Sequence, residues 1–334
     1  MNKKRKIALI IGGLGQDGSY IADLLLKKNY KIVCISSQIS NKKKWRHKFL
    51  KIEKKIIYKK INILNSKKLS KLFNLFTFDE VYNFAAQSLV EKSFALGKKT
   101  ILTNCYGLYN LLENIKDKNI KFYHSSSSEI FGDTRKKFVS LKSNTNPTSI
   151  YAASKIFGQN LLDVYKKKYN INACYGILFN HESPLRDKNF VSKKICKSIV
   201  EIFNKKRKYL NIGNIYIKRD WGFSKEYMNI VWKNMQKKKL NNFLLGTGKL
   251  YTIKYFIEKC FEHYNIHLKW IYNKKHILGI NKKNNQILVK SIVQLYRKND
   301  FRNFTLKNKR TPKIRTSLEK LINLMLKTEQ KIFE

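Results

Sequence analysis

The chain has 334 residues, 43% of them apolar, enough for one large domain with an appended lobe or for two domains with buried cores. Lys and Arg number 70 against 22 Asp and Glu, a formal charge of +48. These cations are mostly lysine and spread along the whole chain, whereas a nucleic-acid reader concentrates arginine and aromatics on one element. A disulfide scaffold is excluded, because Cys34, Cys105, Cys174, Cys196 and Cys260 lie far apart with no CxxC or metal spacing. No apolar run approaches the roughly 20 residues of a membrane span. The start MNKKRKIALIIGG is no signal peptide, so the expected location is the cytoplasm.

In chain order, KIALIIGG reads as a short buried strand and residues 16–28 as the helix that follows. KIVCISS, KKIIYKKINI, DEVYNFAA, IKFYHSS and INACYGILF repeat the strand signal, and residues 100–116 and 149–169 have helical periodicity. Strands alternating with helices predict a parallel sheet covered on both faces, an α/β fold of the Rossmann-type doubly wound kind. After about residue 181 the pattern loosens. Helices over 190–205, 224–237, 252–263 and 317–333, with a strand at YLNIG, predict a smaller mixed α/β C-terminal lobe. The expected domains are 1–180, joined by the segment near 219–245, and 181–334 mainly in the lobe. The Lys- and Asn-rich stretch 274–309 carries no readable pattern.

The first strand runs into Gly12, Gly15 and Gly18. Glycine at this spacing permits a tight turn, close approach of backbone to a pyrophosphate and close packing of helix on strand, and the helix N-terminus offers its amides to the phosphates. That context predicts a dinucleotide site. The second strand ends without the acidic residue that would bind the ribose hydroxyls of NAD. Ser36, Ser37 and Gln38 stand there, followed by NKKKWR, cations that suit a 2′-phosphate, so NADP is expected over NAD.

HSSSSEIFG, residues 124–132, has the composition of a linker but ends a strand, and strand ends are where ligands bind in such sheets. Tyr151 and Lys155 follow in YAASK, at i and i+4 on one helix face. An ammonium near a phenol lowers its pKa from roughly 10 toward working pH, making Tyr151 a usable base.

The segments GQDGSYIADLLL, YNFAAQSLVEKSF, SSSEIFG, YAASK, ILFNHESPLR and KRDWGFSKEY resemble those of the extended short-chain dehydrogenase/reductases, and within them the GDP-mannose 4,6-dehydratases, to about residue 300. The resemblance implies that Gly12, Gly15, Gln16, Asp17 and Gly18 hold the pyrophosphate. Ser37, Asn62 and Ile63 would lie at the adenosine end, Phe84, Ala85, Ala86, Gln87 and Ser88 along the cofactor, and His181 and Arg186 would touch it. It implies a catalytic set of Ser127, Glu129, Tyr151 and Lys155, with Asn180, Lys194, Arg219 and Arg297 holding a GDP-sugar.

By the same resemblance, Tyr151 takes the C4 hydroxyl proton as hydride passes to NADP⁺, Glu129 removes the C5 proton, water leaves C6 and the hydride returns there. The substrate implied is GDP-mannose and the assembly a homodimer or homotetramer, with no metal, membrane or specific nucleic-acid partner. Departures from the family pattern fall at Ser37 and Gln38, where paired arginines are usual, at Asn62 and Ile63 for Asp-Leu, at Lys99 for tyrosine, and in Tyr296 to Asp300. Two other readings stay open: an epimerase or reductase of the same fold, and a noncatalytic nucleotide or RNA binder.

Overall fold

The computed structural model describes residues 5–272, 276–296, 303–306 and 314–334. It forms two compact units. The first comprises Met1–Gly132, Ser140–Phe179 and Ser224–Leu245; the second comprises Asp133–Val139, Asn180–Phe223 and Gly246–Glu334.

The first unit is built on seven strands: β1 Ile7–Ile11, β2 Lys31–Ser36, β3 Ile56–Lys60, β4 Glu80–Asn83, β5 Lys121–Ser127, β6 Ala173–Leu178 and β7 Phe243–Leu245. They run in the order β7-β6-β5-β4-β1-β2-β3, and every pairing is parallel. Both faces of such a sheet are covered, which is why IALII and KIVCIS read as unbroken apolar runs: residues 8–11 and 32–35 are at most 1% exposed. The sequence order reverses at β1 and β4, and the crevice beyond the strand ends at that reversal is where ligands of doubly wound sheets bind.

The helices are α1 Gln16–Lys27, α2 Trp45–Phe49, α3 Ser66–Leu75, α4 Gly107–Ile115, α5 Ile150–Tyr169 and α6 Ser224–Met235. One apolar cluster joins Leu9, Val33, Val81 and Phe122 of the sheet to Leu69 and Phe73 of α3, Leu108 and Leu112 of α4, and Leu162 of α5. The helix expected over 100–116 is not one regular element. A turn of α-helix, Gly97–Ile101, leads into a π-helical stretch, Leu102–Tyr106, before α4. Strand β7 was not anticipated: three residues in an Asn-rich stretch leave almost no periodicity to read.

The second unit has its own core, in which helices Val191–Phe203, Ile253–Glu262 and Leu318–Phe333 pack around Trp221. Its four-stranded sheet follows the order Leu268–Tyr272, His276–Asn281, Ile287–Ile292, Leu210–Ile212. The unreadable Lys- and Asn-rich stretch therefore holds a β-hairpin, turned at Asn285 with φ 56°.

Gly132 closes the serine-rich segment with φ +48°, and a Cβ there would lie 1.6 Å from the Asn146 carbonyl oxygen. No side chain fits that position. Gly132→Ala is expected to cost about 2 kcal/mol or more in urea unfolding, while Gly97→Ala, whose Cβ would meet only the tip of Ile150 at 3.1 Å, stays within about 1 kcal/mol.

Candidate active site

The glycine turn shows why its residues must be glycine. Gly12 has φ +75°, and a Cβ on it would sit 2.8 Å from the Ala85 nitrogen; a Cβ on Gly18 would sit 2.5 Å from the Gly13 Cα. Gly15 differs, because a Cβ there would approach only the Gly12 oxygen, at 3.2 Å, on an otherwise open side. Gly15 is also the N-cap of α1, and it has no side chain with which to cap the helix. Elsewhere Asn65, Ser149, Thr252 and Ser317 cap their helices with side-chain oxygens. The first turn of α1, without a side-chain cap and beside an open glycine, forms a cradle for an anion, and these residues fit the pyrophosphate of a dinucleotide. Gln16 is buried and donates to Asp17 at 3.2 Å. The Asp17 carboxylate accepts from Ser224 Oγ at 2.8 Å and so anchors α1 to α6.

After β4, the loop Phe84 to Ser88 is held at both ends. Ala85 N–H bonds to the Asn83 side chain at 3.1 Å, and Gln87 N–H bonds to Asn104 Oδ1 at 2.9 Å. Asn104, buried in the π-helical stretch, also donates through Nδ2 to Ser154 Oγ at 2.9 Å, next to Lys155 on α5. One amide thus ties the loop after β4 to the helix bearing Tyr151 and Lys155. Its partners lie 17 and 50 residues away in sequence; the π-helical irregularity, a feature frequent at functional sites, has no sequence signature here.

Strand β5 carries the serines to the strand-end crevice. Ser126 is buried and accepts from Gln159 at 2.6 Å. Ser127 caps a 3-10 turn, Ser128–Phe131, through a 3.3 Å bond from the Glu129 N–H, which sets Glu129 in the first turn just beyond the strand. Helix α5 packs on both β5 and this turn. The run is part of the strand-end crevice and no linker.

Tyr151 lies in the first turn of α5, capped by Ser149 Oγ, and is 8% exposed. Lys155, one turn on, is buried; its ammonium donates to the Ser125 carbonyl at 2.7 Å and lies 5.7 Å from the centre of the Tyr151 ring. Burial pushes the Lys155 pKa down to about 8. The ammonium is still mostly charged at neutral pH, within range to stabilise a phenolate.

Of the adenosine-end residues, Ser37 and Asn62 are exposed, whereas Ile63 is buried in the core and accepts through its carbonyl from Asn110 at 2.9 Å. The NHESP and RDWG motifs lie in the second unit. Glu182 is buried and accepts from Ser192 at 2.5 Å while pairing with Arg186 at 3.0 Å; the Arg186 guanidinium stacks 3.5 Å from the Phe190 ring centre. Asp220 is buried under bonds from the Thr247 N–H and hydroxyl, the Gly248 N–H and the Thr305 hydroxyl; burial raises its pKa against those bonds. Trp221 packs on Phe256. Asn180, His181 and Arg219 are half-buried and Lys194 exposed, its pKa lowered by partial burial and then by Arg207. Arg297 lies outside the described residues.

A phosphate cradle at the head of this sheet, with a tyrosine and buried lysine one turn apart at its strand ends, defines a dinucleotide-dependent enzyme of the short-chain dehydrogenase/reductase class. The family model for GDP-mannose 4,6 dehydratase matches residues 9–319. The GDP-mannose 4,6 dehydratase of Homo sapiens is 33% identical over 309 residues, 89% of this chain and 82% of that protein. That of Drosophila melanogaster is 34% identical over 281 residues, 80% and 71%, and that of Vibrio cholerae 35% identical over 282 residues, 81% and 74%. Among solved structures, UDP-glucose 4-epimerase from Thermotoga maritima shares the fold with a TM-score of 0.82 at 20% identity, covering 98% of this chain and 100% of that one. The chain belongs to the GDP-mannose 4,6-dehydratase family.

Gly15→Ala tests the cradle. Its φ of −77° suits alanine, so the melting temperature is expected to hold within about 2 °C while the added methyl weakens dinucleotide binding about 10-fold or more. Calorimetric titration with NADP⁺ and a thermal melt check the two halves.

Proposed function

We propose that the chain is a hydro-lyase converting GDP-mannose to GDP-4-keto-6-deoxymannose and water, with NADP as its dinucleotide. The observation that carries the reading is the combination of Glu129, fixed just past β5, with Tyr151 and buried Lys155 on the helix packed against that turn. An epimerase needs one base for a hydroxyl proton, whereas elimination across C5 and C6 needs a second base for a carbon acid. When bound, the dinucleotide accepts the C4 hydride and gives it back at C6.

The chain's own groups do the proton work. Tyr151 takes the proton of the C4 hydroxyl, with the Lys155 charge stabilising its phenolate. The 4-ketone acidifies C5, and Glu129 takes the proton there. Ser127 or Glu129 returns a proton to the departing C6 hydroxyl. Asn180, Lys194 and Arg219 are the groups offered to the GDP moiety. NADP is favoured by the absence of a carboxylate at the end of β2, where Ser36, Ser37 and Gln38 stand.

Assembly as a homo-oligomer is supported by large apolar side chains exposed along two helical segments of the first unit that pack on each other. Ile101, Tyr106 and Tyr109 project from one, and Phe157 and Val164 from the other, all between 41% and 58% exposed. Apolar surface of this extent on neighbouring helices is the mark of a covered face.

Incubated with GDP-mannose and catalytic NADP⁺, the protein is expected to form a product lighter by one water. Glu129→Gln should lower turnover about 10²- to 10⁴-fold with NADP⁺ binding kept; conversion to an isomer of unchanged mass would support the epimerase reading instead. The pH profile follows from Lys155. Its ammonium is present below about 8 and lost above, so kcat/KM should fall as pH rises through that value. Lys155→Arg, which keeps its charge, should move that limb to higher pH whatever its effect on the plateau rate. Phe157→Glu with Ile101→Glu should give a monomer by light scattering.

A further inference from the structure

The segment after β2 does more than supply positive charge. Helix α2 places two successive side chains on two successive carbonyls of the glycine turn: Arg46 Nη1 donates to the Leu14 oxygen at 2.9 Å, and His47 Nε2 lies 3.0 Å from the Gly13 oxygen. His47 is wholly buried, and burial pushes its pKa down to about 4, so the ring is neutral. Its Nδ1 is 2.7 Å from the Tyr58 hydroxyl. With Nε2–H donating to a carbonyl, Nδ1 must accept, and the Tyr58 hydroxyl supplies that donor from β3; only one tautomer satisfies both bonds. His47 is a peg between the turn and β3, two strands over from β1.

The peg fixes where Arg46 stands. The Gly12 N–H bonds to the Ile35 oxygen at 3.2 Å, so the turn abuts the last residues of β2. In doubly wound sheets the adenine-side ribose lies at that corner, and an arginine nearby accommodates a 2′-phosphate. Several other side chains at the corner are bonded elsewhere or uncharged, and its exposed cations Lys42, Lys43 and Lys60 are lysines, point charges without the fork of a guanidinium. The Ser36 hydroxyl and Gln38 backbone bond to each other in a local turn. Ser37 carries no charge. Lys44 pairs with Glu53 at 3.6 Å and lies 4.5 Å over the Tyr58 ring. Arg46 stacks 4.6 Å from the Trp45 ring centre, and a guanidinium has five donors in a rigid fork, enough to hold a carbonyl and a phosphate oxygen at once.

We propose that Arg46 recognises the 2′-phosphate of NADP, taking over from residues at the end of β2, and that His47, braced by Tyr58, is the positioning residue that holds both Arg46 and the glycine turn in place. The proposal rests on the NADP reading above. It gives the two neighbours different signatures: Arg46 acts on the 2′-phosphate alone, whereas His47 acts on the turn and hence on either dinucleotide.

The test is calorimetric titration of NADP⁺ and NAD⁺ into wild type, Arg46→Ala, Arg46→Lys and His47→Phe, with a thermal melt of each. Loss of one charge-assisted bond predicts that Arg46→Ala weakens NADP⁺ binding about 10- to 100-fold and leaves NAD⁺ within about twofold, with Arg46→Lys between. His47→Phe should weaken both dinucleotides by a similar factor, and His47→Gln, which keeps a donor, should restore part of the loss. Equal weakening of both dinucleotides by Arg46→Ala, or no change, overturns the assignment of Arg46 while leaving a wild-type preference for NADP⁺ intact. A wild type that binds NAD⁺ as tightly as NADP⁺ overturns the NADP reading itself, and with it any role for Arg46 at a 2′-phosphate.

Discussion

The ammonium of Lys155, buried beside Tyr151, is the constraint around which the first unit is organised. Holding a charge out of water costs several kcal/mol unless the protein supplies partners, and the partner supplied is the Ser125 carbonyl at 2.7 Å. That carbonyl is fixed because β5 is a central strand, paired on one side with β4 and on the other with β6. Helix α5 must lie close to it, and Gly158 permits this: a Cβ there would come within 2.8 Å of His124 Nε2 on β5. His124 in turn accepts at Nδ1 from the Asn83 amide at 3.2 Å, and Asn83 orients the loop leading to Gln87. The Lys155 charge beside Tyr151, the strand that leads to Glu129 and the loop Phe84 to Ser88 are thus set by one connected group of contacts.

Acidic residues are scarce in this chain, and several of the buried ones serve the fold. Glu182 and Asp220 sit in the NHESP and RDWG motifs, yet both are buried and bonded within their own unit. Glu80, the first residue of β4, gathers Tyr30, Tyr82, Lys6 and Gln236. Glu129 stands apart from these as a half-buried acid at the strand ends. The lysine excess, by contrast, lies largely on exposed positions, where charges are screened within about a Debye length.

What could be read from the chain alone was what depends on neighbours in sequence. Gly12, Gly15 and Gly18 announce a turn because three local backbone requirements recur at a three-residue spacing, and Tyr151 and Lys155 announce a helix face because i and i+4 are neighbours. Asn104 was invisible, since its partners Gln87 and Ser154 meet it only in the folded chain, and Leu102 to Tyr106 look like ordinary helix until the hydrogen bonds are traced. His47 was hidden for another reason: it follows a lysine-rich run whose charge, not its packing, catches the eye, and only the fold turns it inward. The hairpin of the second unit was masked by the same lysine and asparagine bias, which fills its turn and leaves its two short strands without alternation to read.

In the proposed reaction one set of groups oxidises at C4, eliminates across C5 and C6, and returns the same hydrogen to the sugar. The most direct test is turnover of GDP-mannose carrying deuterium at C4. The expected product has lost one water and carries the deuterium at C6. Deuterium remaining at C4, or lost to solvent with the C6 hydroxyl retained, would contradict that reaction.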